Sequence, residues 1–340
     1  MSKCILTDCR GIDRLQFSER PAPNELKSGE VLVEVHAVSL NYRDLMVARG
    51  DYGGVNEPPI IAGTDFAGAV IKTAADVKTH KVGDKVLNHP FRFWPAGKLN
   101  SNWIRTMIGG LGVDGILTEH LVYPAEALVR MPSHMSFEEA STLPIAGLTA
   151  WAAVVTHGKT QPGEWVLTHG TGGVSIFAAQ IAKSIGAKVI MSTSKEEKIK
   201  EVKKRIEIDA FVNYNTEDWP KQVREITGGN GVDVVIDTAG GDVLTKSILA
   251  AGYSSRIAII GNIADRQTGF KLFDVVRRQI SLRGIFMESC QELQSFARAC
   301  ETIKLKPCID KAFPFEKSVD AYRHLDSQKH IGKVVIRLKP

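Results

Sequence analysis

Cysteine is scarce in this sequence, and the motifs that would give it a structural role are missing. The 340 residues contain five cysteines, and no two of them form a CxxC pair. An odd number without pairing motifs indicates reduced thiols and argues against a disulfide framework or a zinc finger. The first residues also lack a long apolar stretch and a cleavage site. We therefore expect no secretory signal and a cytoplasmic protein.

Long apolar runs and blocks of one charge are absent too. No uninterrupted apolar stretch reaches the ~18 residues that a membrane span needs. Basic residues exceed acidic ones by only 43 − 38 = 5, and no five like charges stand together. We therefore expect neither a nucleic-acid nor a membrane partner. The 44% hydrophobic and 24% charged residues are typical of a globular protein, and at about 150 residues per domain the length predicts two domains.

Short apolar runs recur at even intervals from Glu164 onward, and stretches with helical spacing separate them. The runs are Trp165–His169, Lys188–Thr193, Ala210–Tyr214, Val232–Thr238, Arg256–Gly261 and Ile280–Phe286. After the first run, apolar residues from Val174 to Ile185 follow the i, i+3, i+4, i+7 rule of a helix, and Gly186 stands where that helix is predicted to stop. Strands that alternate with helices predict a parallel sheet covered on both faces. Six such strands make a complete dinucleotide-binding sheet. The spacing alone is equally compatible with any doubly wound α/β domain.

The rest of the chain predicts a second, β-rich domain. Strand-like runs at Val31–Val38 and Phe66–Ile71 lie among many glycines and prolines, which indicates long loops. The tail adds a helical stretch, Leu293–Ile303, and a last strand, Lys333–Leu338. We therefore predict that residues 1–130 and 287–340 form a β-rich domain, and that residues 131–286 form a nucleotide-binding domain inserted between them.

The clearest local motif is a glycine-rich loop between the first strand and the first helix of the inserted domain. It reads Gly170-Thr171-Gly172-Gly173-Val174-Ser175, the form GxGxxS. One glycine makes the tight turn, a second lets the backbone approach a pyrophosphate, and the helix N-terminus supplies N–H donors. A small third residue, Ser175, still permits close packing of the helix on the strand. Nucleotide binding is the favoured interpretation, and a plain glycine turn is the alternative.

The end of the second strand predicts the choice of cofactor. NAD sites usually place an acid there to bind the ribose 2′-hydroxyl, but this chain has Ser192-Thr193-Ser194-Lys195, with Lys198 within a turn. Hydroxyl and ammonium donors suit a 2′-phosphate. The pattern favours NADP(H) over NAD(H), although a solvated helix start would give similar residues.

Catalytic motifs of two other kinds are missing. There is no HExxH, no paired cysteine and no cluster of histidine with cysteine, so no metal site is predicted. None of the six tyrosines is followed four residues later by a lysine, so the Tyr–Lys chemistry of short-chain dehydrogenases is absent as well.

Five motifs in a fixed order carry a family resemblance that spans essentially the whole chain. They are Gly63-Thr64-Asp65-Phe66-Ala67-Gly68-Ala69-Val70, Leu143-Pro144-Ile145-Ala146-Gly147-Leu148-Thr149-Ala150-Trp151, the GxGxxS loop, Asp237-Thr238-Ala239-Gly240-Gly241 and Gly332-Lys333-Val334-Val335. Together they resemble the medium-chain dehydrogenase/reductase superfamily. The resemblance implies an α/β protein with a GroES-like β-rich catalytic domain and a Rossmann domain, a doubly wound parallel six-stranded sheet that binds NADP.

The departures from the family's alcohol dehydrogenases concern zinc. Asn41 stands where they have their first catalytic cysteine, and Thr64-Asp65 replaces their histidine and glutamate. Their third ligand falls near Ile145, and the stretch from Asn88 to Val113, where their structural zinc lobe lies, contains no cysteine. The chain therefore resembles the zinc-independent, quinone-oxidoreductase-like branch.

The resemblance and the motifs together define the candidate site residues. The catalytic candidates are Asn41, Tyr42 and Thr64, which stand at positions where relatives keep catalytic groups; the alternative for Tyr42 is that it braces its loop. The cofactor-binding candidates are Thr149, Gly170, Gly172, Gly173, Val174, Ser175, Thr193, Ser194, Lys195, Lys198, Tyr214 and Lys333. The resemblance implies that Thr149 and Val174 touch the nicotinamide, in a cleft between the domains, and that Tyr214 lies beside the 2′-phosphate.

The favoured function is NADPH-dependent, zinc-independent transfer of hydride to a quinone or an α,β-unsaturated carbonyl. Without a Lewis acid to stabilise an alkoxide, acceptors that are already electrophilic are favoured. Two alternatives remain: a metal-free alcohol dehydrogenase or ketoreductase, and a non-enzymatic NADPH-binding protein. We expect a homodimer that acts on a small-molecule substrate.

Overall fold

The chain forms two compact units. The structure, a computed structural model, describes residues 1–52, 59–110, 112–261, 267 and 269–339. One unit combines Met1–Leu148 with Glu288–Pro340, and the other is Thr149–Met287. The predicted boundary lies at 130/131, whereas the compact units divide after Leu148. Residues 131–148 pack in the first unit instead: the Ser133 backbone N–H, for example, donates to Glu301 over 2.6 Å.

The N-terminal part of the first unit is mostly strand. Its strands are β1 (Ser2–Thr7), β2 (Gln16–Arg20), β3 (Glu30–Leu40), β4 (Ile60–Ile61), β5 (Asp65–Thr73), β6 (Lys85–Asn88), β7 (His120–Pro124) and β8 (Leu128–Arg130). Its helices are α1 (Tyr42–Arg49), α2 (Ser101–Ile104) and α3 (Phe137–Ala140), with 3₁₀ turns at Ile12–Arg14 and Ala125–Ala127 and a π-helical turn at Leu143–Gly147. The predicted β-rich character of this segment is confirmed.

The second unit alternates strands and helices, as predicted. After α4 (Leu148–Trp151) and a π-helical turn, Ala152–Thr156, its strands are β9 (Trp165–His169), β10 (Lys188–Ser192), β11 (Ala210–Val212), β12 (Val232–Asp237), β13 (Ala251–Ile259) and β14 (Ser281–Gly284). Its longer helices are α5 (Gly173–Ile185), α6 (Glu196–Arg205), α7 (Trp219–Ile226), α8 (Gly241–Ala250) and α9 (Leu272–Arg278).

The six strands of the second unit form one parallel sheet in the order β11-β10-β9-β12-β13-β14. Counted from β9, this is the order 3-2-1-4-5-6 of dinucleotide-binding domains, which places helices on both faces through right-handed crossovers. The predicted parallel six-stranded sheet is therefore confirmed. Strand β13 begins five residues before the predicted Arg256, because Ala251 already pairs with Val232 ahead of a register shift that brings Arg256 opposite Val234.

Helix α5 follows the predicted apolar pattern. Phe177, Ala178, Ile181 and Ala182 are buried, which is the i, i+3, i+4 stripe of a helix that packs on a sheet. The helix ends where Gly186 takes a left-handed conformation with φ of 90°. A residue without Cβ adopts this conformation at little cost, so the predicted stop at this glycine is confirmed.

The C-terminal segment returns to the first unit and completes its largest sheet. It contains α10 (Cys290–Ile303), β15 (Ile309–Pro314), a 3₁₀ turn at Phe315–Lys317, α11 (Ser318–Asp326) and β16 (Lys333–Arg337). The seven-stranded sheet has the order β15-β16-β3-β5-β6-β8, with β7 also paired to β3. A smaller sheet has the order β2-β1-β4. The last strand thus lies beside β3 near the centre of the sheet.

Close packing explains one glycine of the first family-like motif. Gly68 lies on β5 opposite Val35 of β3, and a Cβ at this position would stand 2.2 Å from the carbonyl oxygen of Glu34. Any side chain would therefore force the two central strands of the sheet apart. The glycine here serves strand packing rather than ligand binding.

None of the helices in the described part of the chain combines the length and the apolar character needed to cross a membrane.

Candidate active site

Sheet topology brings three distant motifs of the first unit to one place. Strand β3 ends at Leu40, which pairs with Val334 near the start of β16, and Ser39 pairs with Asp65 at the start of β5. Because β3 runs antiparallel to both neighbours, its carboxyl end meets their amino ends. Asn41, Thr64-Asp65 and Lys333 therefore meet at a single edge of the sheet.

A chain of hydrogen bonds joins these residues through Asn41. The Lys333 ammonium donates to Asn41 Oδ1 over 2.5 Å and to the Leu40 carbonyl oxygen over 2.6 Å. Asn41 Nδ2 donates to Asp65 Oδ2 over 2.9 Å, and the same oxygen accepts the Ile145 backbone N–H over 3.0 Å. Asn41 therefore connects a buried cation to a buried anion.

A second carboxylate holds the start of helix α1 against the Thr64 loop. Asp44 Oδ2 accepts the backbone N–H of Asn41 over 2.7 Å, and Asp44 Oδ1 accepts the Thr64 hydroxyl hydrogen over 2.8 Å. Asp44 therefore braces the start of α1 against the Thr64 loop. Since the hydroxyl hydrogen of Thr64 is directed at Asp44, Thr64 Oγ1 offers only lone pairs to other groups.

Burial changes the acid–base properties of this cluster. It raises the pKa of Asp65 to about 7, against the opposing effects of the Lys333 ammonium and the Asn41 amide. It also lowers the pKa of Lys333 to about 8, opposed by the charges of Asp65 and Asp44. The pKa of Asp44 is raised by the same loss of hydration, although the nearby Arg43 guanidinium works against it. Burial therefore works against the charged forms of these groups, and the opposite charges in the cluster work in favour of them.

The cluster does not fit a zinc ion. Zinc in proteins prefers thiolate and imidazole ligands. Asn41 and Thr64 stand where the family's alcohol dehydrogenases have a cysteine and a histidine ligand. Near the position of their third ligand, Ile145 contributes a backbone N–H donor. The carbonyl oxygens of Asn41 and Leu40 already hold the Lys333 ammonium. Within the part of the chain that the structure describes, no three His, Cys, Asp or Glu residues come together as a metal site would require.

The candidate residues Tyr42 and Lys333 differ in their exposure to solvent. Tyr42, the first residue of α1, is 36% exposed. Lys333, a cofactor-binding candidate, is 3% exposed, and its ammonium contacts Asn41 and Leu40 of the first unit. Its role in cofactor binding stays a prediction.

The glycine-rich loop of the second unit has the open backbone that a dinucleotide needs. Gly170 has φ of 73°, and among the described residues no atom beyond the two chain neighbours lies within 4 Å of a Cβ built at Gly170 or Gly172. Helix α5 begins at Gly173 without a side-chain cap, so its first backbone N–H groups have no intrahelical acceptor. The loop therefore fits a pyrophosphate. Ser175 is buried, and its hydroxyl donates to the His169 carbonyl oxygen over 2.6 Å, which ties the helix to the strand.

Three of the residues predicted to bind a 2′-phosphate, Ser194, Lys198 and Tyr214, take part in side-chain hydrogen bonds. The Lys198 ammonium donates to Thr171 Oγ1 of the glycine-rich loop over 3.1 Å, and the Tyr214 hydroxyl donates to Ser194 Oγ over 2.9 Å. Lys195 precedes α6 and is exposed.

The other nicotinamide and phosphate candidates differ in accessibility. Thr193 and Thr149 are buried, at 2% and 4% exposure, while Val174 is half-buried in the first turn of α5. The contacts predicted for these three residues stay predictions.

A buried polar chain beneath the glycine-rich loop has no signature in the sequence and was not predicted. His169 Nδ1 lies 2.8 Å from Ser192 Oγ, His169 Nε2 lies 2.8 Å from Ser247 Oγ, and Ser247 donates to Asp237 Oδ2 over 3.0 Å. The Asp237 carboxylate only accepts, so the Ser247 hydrogen goes to it and Ser247 Oγ accepts from His169 Nε2–H. Nδ1 then accepts the Ser192 hydroxyl. The hydroxyl of Ser192, at the end of β10, is therefore engaged inside the protein.

Comparisons with known proteins agree with this architecture. Residues 27–133 match the family described as alcohol dehydrogenase GroES-like domain, and residues 173–303 match the family described as zinc-binding dehydrogenase. A zinc-type alcohol dehydrogenase-like protein of Schizosaccharomyces pombe is 36% identical over 335 residues, which cover 96% of each chain. The chain belongs to the medium-chain dehydrogenase/reductase superfamily. The predicted GroES-like and Rossmann fold is thereby confirmed.

Two further relatives carry the names of oxidoreductases. Quinone oxidoreductase-like protein 2 of Mus musculus is 30% identical over 334 residues, covering 94% of this chain and 87% of that one. A crystal structure of an NAD-dependent alcohol dehydrogenase is 32% identical with a TM-score of 0.88, covering 99% of this chain and 100% of the other. The chain is therefore an oxidoreductase of the medium-chain superfamily, whose fold implies a nicotinamide dinucleotide cofactor.

The buried histidine generates a prediction about stability and pH. Burial lowers the pKa of His169, opposed by Asp237, so the unfolded chain binds the proton more readily, with a pKa of about 6.5. The stabilisation by neutral His169 is complete above that pH and is lost as the pH falls below it. We expect His169→Gln to lower the free energy of unfolding by about 1–3 kcal/mol at pH 7.5. The wild-type advantage should shrink as the pH falls from 6.5 to 5.5.

Urea unfolding at several pH values measures this difference, and His157→Gln in the same unit is the control. A wild-type advantage over His169→Gln that stays constant between pH 7.5 and 5.5 would contradict the assignment of a buried neutral imidazole.

Proposed function

We propose that this protein is an NADPH-dependent, zinc-independent oxidoreductase that delivers hydride to a quinone or an α,β-unsaturated carbonyl. The observation that carries the proposal is the hydrogen-bonded chain Lys333–Asn41–Asp65, in which Asn41 stands where zinc-dependent relatives have their first metal ligand. An ammonium group 2.5 Å from Asn41 Oδ1 supplies the positive charge of this cluster. Bringing a divalent cation to the same oxygens would cost strong repulsion in a buried setting.

The class of hydride acceptor follows from which groups can stabilise the negative charge that develops on its oxygen without a metal. An alcohol or simple ketone reaction needs strong stabilisation of an alkoxide, which relatives obtain from a Lewis acid. A quinone or a conjugated carbonyl spreads the developing charge over several atoms, and hydrogen-bond donors aimed at its oxygen then suffice. The similarity to a quinone oxidoreductase-like protein supports this acceptor class.

Tyr42 is the best-placed donor among the three catalytic candidates. Its side chain is 36% exposed, so a substrate oxygen can reach the hydroxyl. Thr64 gives its hydrogen to Asp44, and Asn41 gives one of its two amide hydrogens to Asp65. We therefore assign Tyr42 as the main donor to the developing enolate oxygen, with the second Asn41 Nδ2 hydrogen as a supporting donor.

The cofactor would be held by the glycine-rich loop and the residues after β10. When bound, it supplies the hydride. The backbone of Gly170–Gly173 would receive the pyrophosphate, and Lys198, Lys195, Ser194 and Tyr214 offer donors and positive charge for a 2′-phosphate. No carboxylate follows β10 at the position that binds a 2′-hydroxyl in NAD enzymes. Because a structural relative is NAD-dependent, family membership alone does not fix this choice.

A turnover screen tests the whole proposal. Purified protein is mixed with NADPH and a panel of quinones, enones and aldehydes, with and without a strong chelator, and loss of nicotinamide absorbance is followed. We expect turnover of a quinone or enone that the chelator does not reduce, and no stoichiometric zinc by elemental analysis. Reduction of aldehydes alone would favour the metal-free ketoreductase, and NADPH binding without turnover would favour a non-enzymatic role. One tightly bound zinc per chain would contradict zinc independence.

Lys198 tests the cofactor assignment. A charge-assisted hydrogen bond is worth about 1.5–3 kcal/mol, so Lys198→Met should weaken NADPH binding about tenfold to a hundredfold. NADH lacks the 2′-phosphate, and its dissociation constant should change by less than about twofold. Fluorescence titration measures both constants, and the exposed Lys200→Met on the same helix is the control. An unchanged ratio of the two dissociation constants in Lys198→Met would refute this role.

Tyr42 tests the donor assignment. Loss of a donor that acts on transition-state charge costs about 10²–10³ in rate, so Tyr42→Phe should lower kcat by this factor and leave NADPH affinity nearly unchanged. Tyr253→Phe, an exposed tyrosine of the second unit, serves as the control. If kcat on the best acceptor is the same in Tyr42→Phe as in wild type, the donor is another group. A small fall in both rate and stability would instead indicate that Tyr42 braces the loop.

A further inference from the structure

Lys333 is a buried lysine that donates hydrogen bonds to the last residue of β3 and to the catalytic candidate Asn41. It is 3% exposed at the start of β16, and its ammonium donates to the Leu40 carbonyl oxygen and to Asn41 Oδ1. Burying an ammonium is costly unless hydrogen bonds and opposite charge replace the lost hydration. Here the charges of Asp65 and Asp44 act on it, and two carbonyl oxygens bind it directly.

The two neighbours of the Asn41 side chain leave its amide only one orientation. A lysine ammonium only donates, so the atom that faces Lys333 at 2.5 Å is the oxygen. A carboxylate only accepts, so the atom that faces Asp65 at 2.9 Å is the nitrogen. A flipped amide would set the NH₂ group against the ammonium and the oxygen against the carboxylate. The second Nδ2 hydrogen has no acceptor among the residues that the structure describes, and its direction is fixed by the same two contacts.

We propose that Lys333 is a positioning residue that holds the Asn41 amide in the one orientation in which Nδ2 can donate to a substrate oxygen. The inference rests on the proposed function, because it assigns a purpose to the free Asn41 hydrogen. It differs from the role that the sequence alone indicates for Lys333, which is contact with the cofactor. The two roles make opposite predictions for cofactor affinity.

The first measurement does not depend on turnover. In ¹⁵N-labelled protein the Asn41 side-chain amide signals are identified by their loss in Asn41→Ala. We expect Lys333→Met to shift these signals and speed their exchange with water, because the oxygen loses its donor. Lys333→Arg restores a cationic donor and should return the signals toward the wild type. Lys311→Met, an exposed lysine on the neighbouring strand β15, is the matched control and should leave them unchanged.

The second measurement is a double-mutant cycle on kcat and on the NADPH dissociation constant. Misplacing a reacting group costs up to about 10² in rate, so we expect Lys333→Met to lower kcat about tenfold to a hundredfold. The dissociation constant should stay within about twofold of the wild type. In an Asn41→Ala background, which has already lost the amide, adding Lys333→Met should change kcat by less than about twofold. Lys333→Arg, which keeps the positive charge, is measured in the same way in case Lys333→Met proves unstable.

Two results would overturn the proposal. One is unchanged Asn41 amide signals in Lys333→Met together with a tenfold or greater rise in the NADPH dissociation constant, which would make Lys333 a cofactor residue. The other is an equal loss of kcat in the Asn41 and Asn41→Ala backgrounds, which would mean that Lys333 acts without Asn41. If the wild type reduces no acceptor in the panel, the proposed function fails, while the amide signals still decide whether Lys333 orients Asn41.

Discussion

The need to pair buried charge determines how the first unit is built around its candidate site. Two carboxylates, Asp44 and Asp65, and the Lys333 ammonium lie together with almost no access to water. Each could be buried only because the others, and the amide of Asn41, replace its hydration. The turn from β3 into α1, the Thr64 loop and the last strand of the chain are therefore held together by one cluster. Removing a single member would leave an unpaired charge in the interior.

The second unit follows the same physical rule with neutral side chains that lead to one carboxylate. The end of β9 is joined to β10 and α8 through the imidazole of His169 and the hydroxyls of Ser192 and Ser247, and the chain terminates on Asp237. Asp237 Oδ1 accepts the backbone N–H groups of Ala239 and Gly240. Every link has a donor and an acceptor, so the network is satisfied without water. It ties the ends of β9, β10 and β12 to α8.

These two networks reduce the number of side chains that can donate a hydrogen bond to a ligand. A hydroxyl that already donates its hydrogen inside the protein cannot donate it to a ligand. Thr64 and Ser192 donate theirs internally, whereas Tyr42 and Ser194 are the members of each pair that can donate to a ligand. Sequence position alone treats the members of each pair alike. The hydrogen-bond directions separate them, because a hydroxyl has one hydrogen and can give it to only one partner at a time.

Local patterns in the sequence determine much of the fold. The alternation of apolar strands with helical stretches predicts the six-stranded parallel sheet, and the stripe on α5 with its terminal Gly186 predicts that helix and its end. These features depend on neighbours in the chain, so periodicity and turn chemistry are enough. The family motifs also locate the glycine-rich loop and the absence of zinc-ligand residues at Asn41 and Thr64.

Only the tertiary structure decided which of these residues act together. Asn41 and Lys333 lie 292 residues apart in sequence, and they meet because β16 pairs with the end of β3. His169 and Ser247 are separated by 78 residues, and no local pattern marks either of them. Periodicity reports which face of an element is buried, but it carries no information on which buried polar atom will face which. That pairing depends on strand order and register, and those are set by the packing of the whole sheet.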